Sequence, residues 1–152
     1  MPGSSQPSYL SAHRTGQLAE KIESACARLS DCDLCPRKCH VNRMSGEKGV
    51  CGTGRRMRVA SFHAHFGEEA PLVGRGGSGT IFVSHCNLNC LFCQNFEISH
   101  DGWGQPVSDA QLAEIMCDLQ QRGCHNINFV TPSHVVPQIL SGLETAVDKG
   151  LK

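Results

Sequence analysis

Charge is scarce in this sequence. Charged residues fill 18% of its 152 positions, and 14 basic residues balance 14 acidic ones. Ordinary soluble domains carry roughly 25%. A chain that grips nucleic acid by electrostatics needs a basic face or an excess of Lys and Arg, so the balance points away from a nucleic-acid partner. No apolar run approaches the about 20 residues of a membrane-spanning helix. The opening MPGSSQPSYLSAHRTG has no basic start followed by an apolar core, so it does not read as a secretory signal. Residues 1–16 are expected to be a flexible Gly/Ser/Pro tail.

Cysteine, by contrast, is abundant. Ten are present, at positions 26, 32, 35, 39, 51, 86, 90, 93, 117 and 124. Without an export signal the expected location is the cytoplasm, where thiols stay reduced and clusters of them serve as metal ligands or redox groups. Seven of the ten fall in two tight groups. The cysteines therefore read as metal chemistry rather than a disulfide scaffold.

The coarse pattern divides the chain into the tail, a segment at 17–72 and a segment at 73–152. Leu18, Ile22, Ala25 and Leu29 recur at helical spacing. The stretch CDLCPRKCHVNRMSGEKGVC at 32–51 has no period and should be loops held by something other than a core. Residues 59–66 alternate weakly, as a strand would. The loop GRGGSG at 74–79 leads into a short apolar strand at 80–84, and Cys86 to Val107 reads as a long loop.

Ser108 with Gln111 predicts a capping box for a helix whose inner face is Leu112, Ile115, Met116 and Leu119, with Gly123 just past its end. Ile127 to Val130 is the next strand. Ser133 is expected to cap a final helix that carries Pro137 in its first turn and ends at Gly150. Strand, helix, strand, helix is the order of a parallel sheet with crossover helices. Two such units cannot cover both faces of a sheet, and a full (β/α) barrel takes about 250 residues. The chain is thus expected to be the front part of a longer α/β protein.

The chemistry concentrates in HCNLNCLFCQN, where Cys86, Cys90 and Cys93 have C-x3-C-x2-C spacing directly after a strand. Such a preset pattern should arise by chance about 0.04 times in a chain of this composition. Loops at the C-terminal ends of strands are where α/β folds place ligands. Three thiolates with no fourth in the run suit a [4Fe–4S] cluster with one iron left open to a substrate or cofactor. The competing reading is a zinc or redox thiol set, although zinc normally takes a fourth close ligand.

This loop resembles the cluster loop of the radical S-adenosylmethionine enzymes, including an aromatic, Phe92, before the last cysteine. CDLCPRKC, GEKGVCG, GSGTIF and CQNFEIS extend the resemblance to the pyruvate formate-lyase-activating-enzyme-like branch. The resemblance implies the start of a partial (β/α)6 barrel, with about two βα units present after a Cys-rich N-terminal segment. It also implies reductive cleavage of S-adenosylmethionine to a 5′-deoxyadenosyl radical that abstracts hydrogen. An electron donor such as flavodoxin or ferredoxin, and a protein substrate such as a glycyl-radical enzyme, come with that reading. Phe92, Gln94 and Asn95 would border the cluster or its cofactor. Members of the family often carry a Gly-Gly-Glu-like turn after the second strand; here Thr131-Pro132-Ser133-His134 stands in its place, and Thr131, Ser133 and His134 would take over its polar contacts. The alternative is a non-enzymatic iron–sulfur or zinc module for electron transfer or structure.

Cys32, Cys35, Cys39 and Cys51 form a second set of four thiols that either closes the coordination of zinc or of another cluster, or stays as reduced thiols in a loop. GRGGSG fits the dinucleotide fingerprint G-x-G-x-x-G but precedes a strand instead of opening a helix. It is read as a flexible entry that lines the cofactor pocket. His63 and His65 are either a metal-ligating pair or, the preferred reading, neighbours on an edge strand. Cys26, Cys117 and Cys124 read as small packing residues.

Overall fold

The computed structural model describes residues 6–152. Two helices lead the chain, α1 (Ser8–Arg14) and α2 (Gln17–Ala27). A Cys-rich loop segment follows, with one 3-10 turn at Arg43–Ser45. The remainder is β1 (Arg58–His65), α3 (Ala70–Val73), β2 (Ser78–Val83), α4 (Phe96–Ser99), β3 (Gln105–Pro106), α5 (Asp109–Gln121), β4 (Asn126–Val130) and α6 (Val136–Asp148). The four strands form one sheet in the order β3-β1-β2-β4.

The sheet is mixed. β2 and β4 run parallel, with Ile81 opposite Phe129, because α5 crosses between them. β1 lies antiparallel to both β2 and β3. Its link to β2 holds only the one-turn α3, too little helix for the crossover a parallel pair needs. The expected strand-helix-strand-helix run is therefore present from β2 to α6, inside a sheet that is not wholly parallel.

One face of the sheet carries the core. Val59, Ile81 and Val83 meet Leu112, Ala113, Met116 and Leu119 of α5 and Ala146 of α6. Leu112, Ala113 and Leu119 are fully excluded from water, and each large side chain so buried contributes about 1.5–3 kcal/mol. α5 starts where the sequence placed it. Ser108 accepts from the Gln111 amide and the Gln111 side chain returns the bond. Gly123 and Gly150, both at positive φ, follow the ends of α5 and α6. At Gly142 a Cβ would come within 2.7 Å of Leu112, so glycine lets the two helices approach closely.

Two local expectations are corrected. Helix α1 occupies part of the segment expected to be a flexible tail; residues 1–5 of that segment lie outside the described residues. His13 near its end pairs with Asp148 at 3.0 Å and fastens it to α6. Ser133 caps nothing: it is exposed, in a 3-10 turn at Ser133–Val135, and α6 begins only at Val136. Pro137 fixes that start, since its ring suits the first helical turn and pulls the N-cap position to Val135. Among the described residues, no helix is long and apolar enough to cross a membrane.

Candidate iron–sulfur and metal centres

The loop bearing Cys86, Cys90 and Cys93 leaves the C-terminal end of β2, three residues past its last strand position. Its start is shaped by left-handed backbone at His85 (φ 66°) and Asn89 (φ 52°), a conformation that L residues adopt only when their surroundings hold them there. The His85 amide donates to the Ile98 carbonyl at 2.8 Å, folding α4 back over the loop. The His85 ring lies against Gly52 and Gly102, where an added Cβ would fall 3.1 and 2.1 Å from it. Burial, helped by Arg58 and Lys48, holds this imidazole below the ordinary histidine range.

Cys86 is buried, whereas Cys90 and Cys93 are half-buried. The Leu88 amide donates to Cys86 Sγ at 3.3 Å, and Ser99 Oγ lies 3.3 Å from Cys93 Sγ. Asn87 is buried, with its Oδ1 unpartnered among the described residues. Leu91 and Phe92 at the tip are 93% and 91% exposed. Gln94 is exposed and Asn95 half-buried, and neither makes a side-chain hydrogen bond among the described residues. Phe96 stacks on His100 with ring centres 4.1 Å apart. Three soft donors on one loop, two of them reachable from solvent, fit a cluster better than a hard cation.

At the end of β4, on the same edge of the parallel pair, Thr131 is half-buried and left-handed at φ 56°. His134 differs from its two polar companions in burial. It is fully buried and lines one small cavity with the N-terminal cysteines, and neither ring nitrogen makes a hydrogen bond among the described residues. Burial pushes its pKa down to about 4, with Arg43 and His85 acting in the same direction against the backbone at Ser84 and Thr131. The imidazole is neutral.

Cys32, Cys35, Cys39 and Cys51 line one small cavity together with Arg43, Gly49 and His134. They line it without converging, and Cys86, Cys90 and Cys93 do not converge either: among the described residues, no three His, Cys, Asp or Glu side chains stand in the geometry of a single bound ion. Arg43 was not singled out in the sequence, where it is one basic residue among several in a loop. It is 1% exposed and donates to the carbonyls of Gly54 and His134 at 2.7–2.9 Å.

The glycine loop at 74–79 sits at the other end of β2 from Cys86, so it does not line a pocket at the cluster edge. Its tightest point is Gly76, where a Cβ would fall 1.7 Å from the Gly123 carbonyl oxygen. The glycines let this loop pass under the α5–β4 turn. His63 and His65 stand on a stretch of β1 that pairs only with β2, and His63 stacks on Phe82 at 5.6 Å. Cys117 and Cys124 pack against the core, and Cys26 lies 3.9 Å from Ser141 Oγ.

Residues 72–140 match the family described as a 4Fe-4S single cluster domain. The matched stretch runs from α3 into α6 and contains Cys86, Cys90 and Cys93 but none of the four N-terminal cysteines. The chain thus carries a 4Fe-4S cluster-binding domain. An uncharacterized protein of Methanocaldococcus jannaschii is 33% identical over 132 residues, which cover 82% of this chain and 37% of that relative. This chain spans little more than a third of the length of the curated relative it matches. No solved structure matches it.

Proposed function

We propose that this protein is a radical S-adenosylmethionine enzyme of the activating-enzyme-like type, with Cys86, Cys90 and Cys93 as the ligands of its [4Fe–4S] cluster. One observation carries the reading: the three cysteines form a C-x3-C-x2-C loop with no fourth thiol in it, at the C-terminal end of a parallel strand. When bound, the cluster and S-adenosylmethionine supply an electron that cleaves the sulfonium and a 5′-deoxyadenosyl radical that abstracts hydrogen.

The chain's own residues prepare that site. Cys86 anchors the loop in the core, while Cys90 and Cys93 stay reachable for metal loading. Ser99 lies within hydrogen-bond reach of the Cys93 sulfur, where a donated proton would stabilise the thiolate. Phe92, Gln94 and Asn95 border the loop, and Thr131 and Ser133 supply polar groups from the neighbouring strand end. The β2–α5–β4–α6 run supports a sheet of the partial (β/α)6 kind, with the strand edge opposite the glycine loop as its reactive side. An electron donor such as flavodoxin or ferredoxin would approach the exposed tip at Leu91 and Phe92, and the radical would be passed to a protein substrate.

Anaerobic reconstitution tests the reading. About four iron and four sulfide per chain are expected, with a cluster spectrum that shifts when S-adenosylmethionine is added. Replacing Cys86, Cys90 and Cys93 together by alanine should abolish both. A cluster on these cysteines that ignores S-adenosylmethionine would leave an electron-transfer or structural module instead.

A further inference from the structure

We propose that Cys32, Cys35, Cys39 and Cys51 hold a single zinc ion, whose negative tetrathiolate is the counter-charge of buried Arg43. This site lies outside the matched cluster domain and does not depend on the reading of Cys86, Cys90 and Cys93.

The first observation is an uncompensated cation. Arg43 is almost completely buried, yet no carboxylate pairs with it among the described residues; its partners are two carbonyl oxygens and, at 3.8 Å, the sulfur of Cys32. A buried charge is stable only when paired. Guanidinium cannot shed its proton, so the negative charge has to come from the thiols. Four thiolates around a divalent zinc give a net charge of about minus two.

Size favours one ion over a second cluster. The cavity that all four cysteines share has a volume of about 10 Å³, room for roughly one water-sized body. A cube of four iron and four sulfide is far larger, whereas one ion needs only that the sulfurs move inward from the cavity wall.

Local bonds hold the backbone around these cysteines, although the sulfurs do not yet converge. Cys32 is held beside Val41 by the His40 amide bonded to its carbonyl and its own amide bonded to Val41, both at 3.0 Å. Lys38 and His40 flank Cys39 in the left-handed region, at φ 41° and 53°, a conformation costing on the order of 1–3 kcal/mol each. The Val50 amide donates to Cys39 Sγ at 3.5 Å. At Gly49 a Cβ would fall 2.7 Å from that sulfur, so glycine lets the returning chain close on it. His134 completes the wall: it is fully buried there and neither ring nitrogen makes a hydrogen bond among the described residues.

Zinc itself is the probe. Chain produced with zinc is expected to carry one ion, with four sulfurs at about 2.3 Å by X-ray absorption. Zinc should persist when Cys86, Cys90 and Cys93 are replaced by alanine, and fall at least about tenfold in Cys35→Ser and Cys51→Ser. A readout on the unsubstituted chain avoids variants that fail to fold: zinc should shield all four thiols from maleimide, and a chelator should expose them together. About eight iron per chain and no zinc would put a second cluster here and overturn the single ion. Equal labelling with and without zinc would overturn the site, as would zinc lost with the triple alanine variant but kept in Cys51→Ser.

Discussion

The Arg37 guanidinium donates to the carbonyl oxygens of Asn87 and its neighbour Leu88, at 2.9 and 3.0 Å. Asn87 follows Cys86, and Arg37 sits between Cys35 and Cys39, so one side chain spans the two cysteine groups. A second tie runs alongside, from the Asn89 side-chain amide to the Val50 carbonyl at 3.3 Å. The N-terminal segment is therefore a brace on the cluster loop, held to it by polar contacts rather than by shared core.

Arg37→Ala removes the larger part of that brace. The residue is exposed, so the global cost should stay near 1 kcal/mol, about that of an ordinary hydrogen bond. The local effect should be greater. Reconstituted cluster is expected to lose iron in air several times faster than in the unsubstituted chain, with an unchanged thermal transition. Iron loss followed by absorbance against time checks this, and equal decay rates would show that the loop holds itself.

Ser99→Ala addresses the cluster's electronics. Ser99 Oγ is 3.3 Å from Cys93 Sγ and 2.8 Å from His100 Nδ1. Hydrogen bonds to ligand sulfur stabilise the reduced cluster and help set its potential. Their loss should lower the midpoint potential by on the order of tens of millivolts, with iron content unchanged. Spectroelectrochemical titration of the two forms decides it.

What the sequence disclosed follows from how local each signal is. The capping box at Ser108 and Gln111, the glycines after both long helices and the apolar face of α5 rest on contacts within a few residues. The three-cysteine loop is equally local, and it falls inside the matched domain. The direction of β1 was not legible, because it depends on a connection too short for a crossover helix. Nor was the burial of His134, read as a polar replacement beside the cluster; the fold sets it on the wall of a cavity shared with cysteines some hundred positions earlier. Arg43 gave no signal at all, since a lone arginine in a polar loop looks solvated until the 3-10 turn at Arg43–Ser45 packs it inward. Ser133 failed as a cap because two prolines nearby dictate the backbone more strongly than one hydroxyl does.

Gly76→Ala tests the reassigned glycine loop. The added methyl would fall 1.7 Å from the Gly123 carbonyl oxygen, which is backbone and cannot rotate away. Overpacking of this kind costs about 1–3 kcal/mol and occasionally more; the upper end is expected here. Urea denaturation should show the loss, and added NAD should not alter the midpoint of either form. A nucleotide-dependent shift would restore the dinucleotide reading.

Arg43→Met separates the cation's two roles. In the zinc-loaded chain the change removes the counter-charge of the thiolates and strands the Gly54 and His134 carbonyls, at about 3–5 kcal/mol. In the zinc-free chain the carbonyls are stranded just the same, but the arginine was itself an unpaired buried charge, so its removal also relieves a penalty. The destabilisation should then be smaller by at least about 1 kcal/mol. Urea denaturation of both forms, with zinc and with chelator, closes the cycle. Equal losses under the two conditions would mean that Arg43 serves only the carbonyls, and that the thiols carry no charge for it to balance.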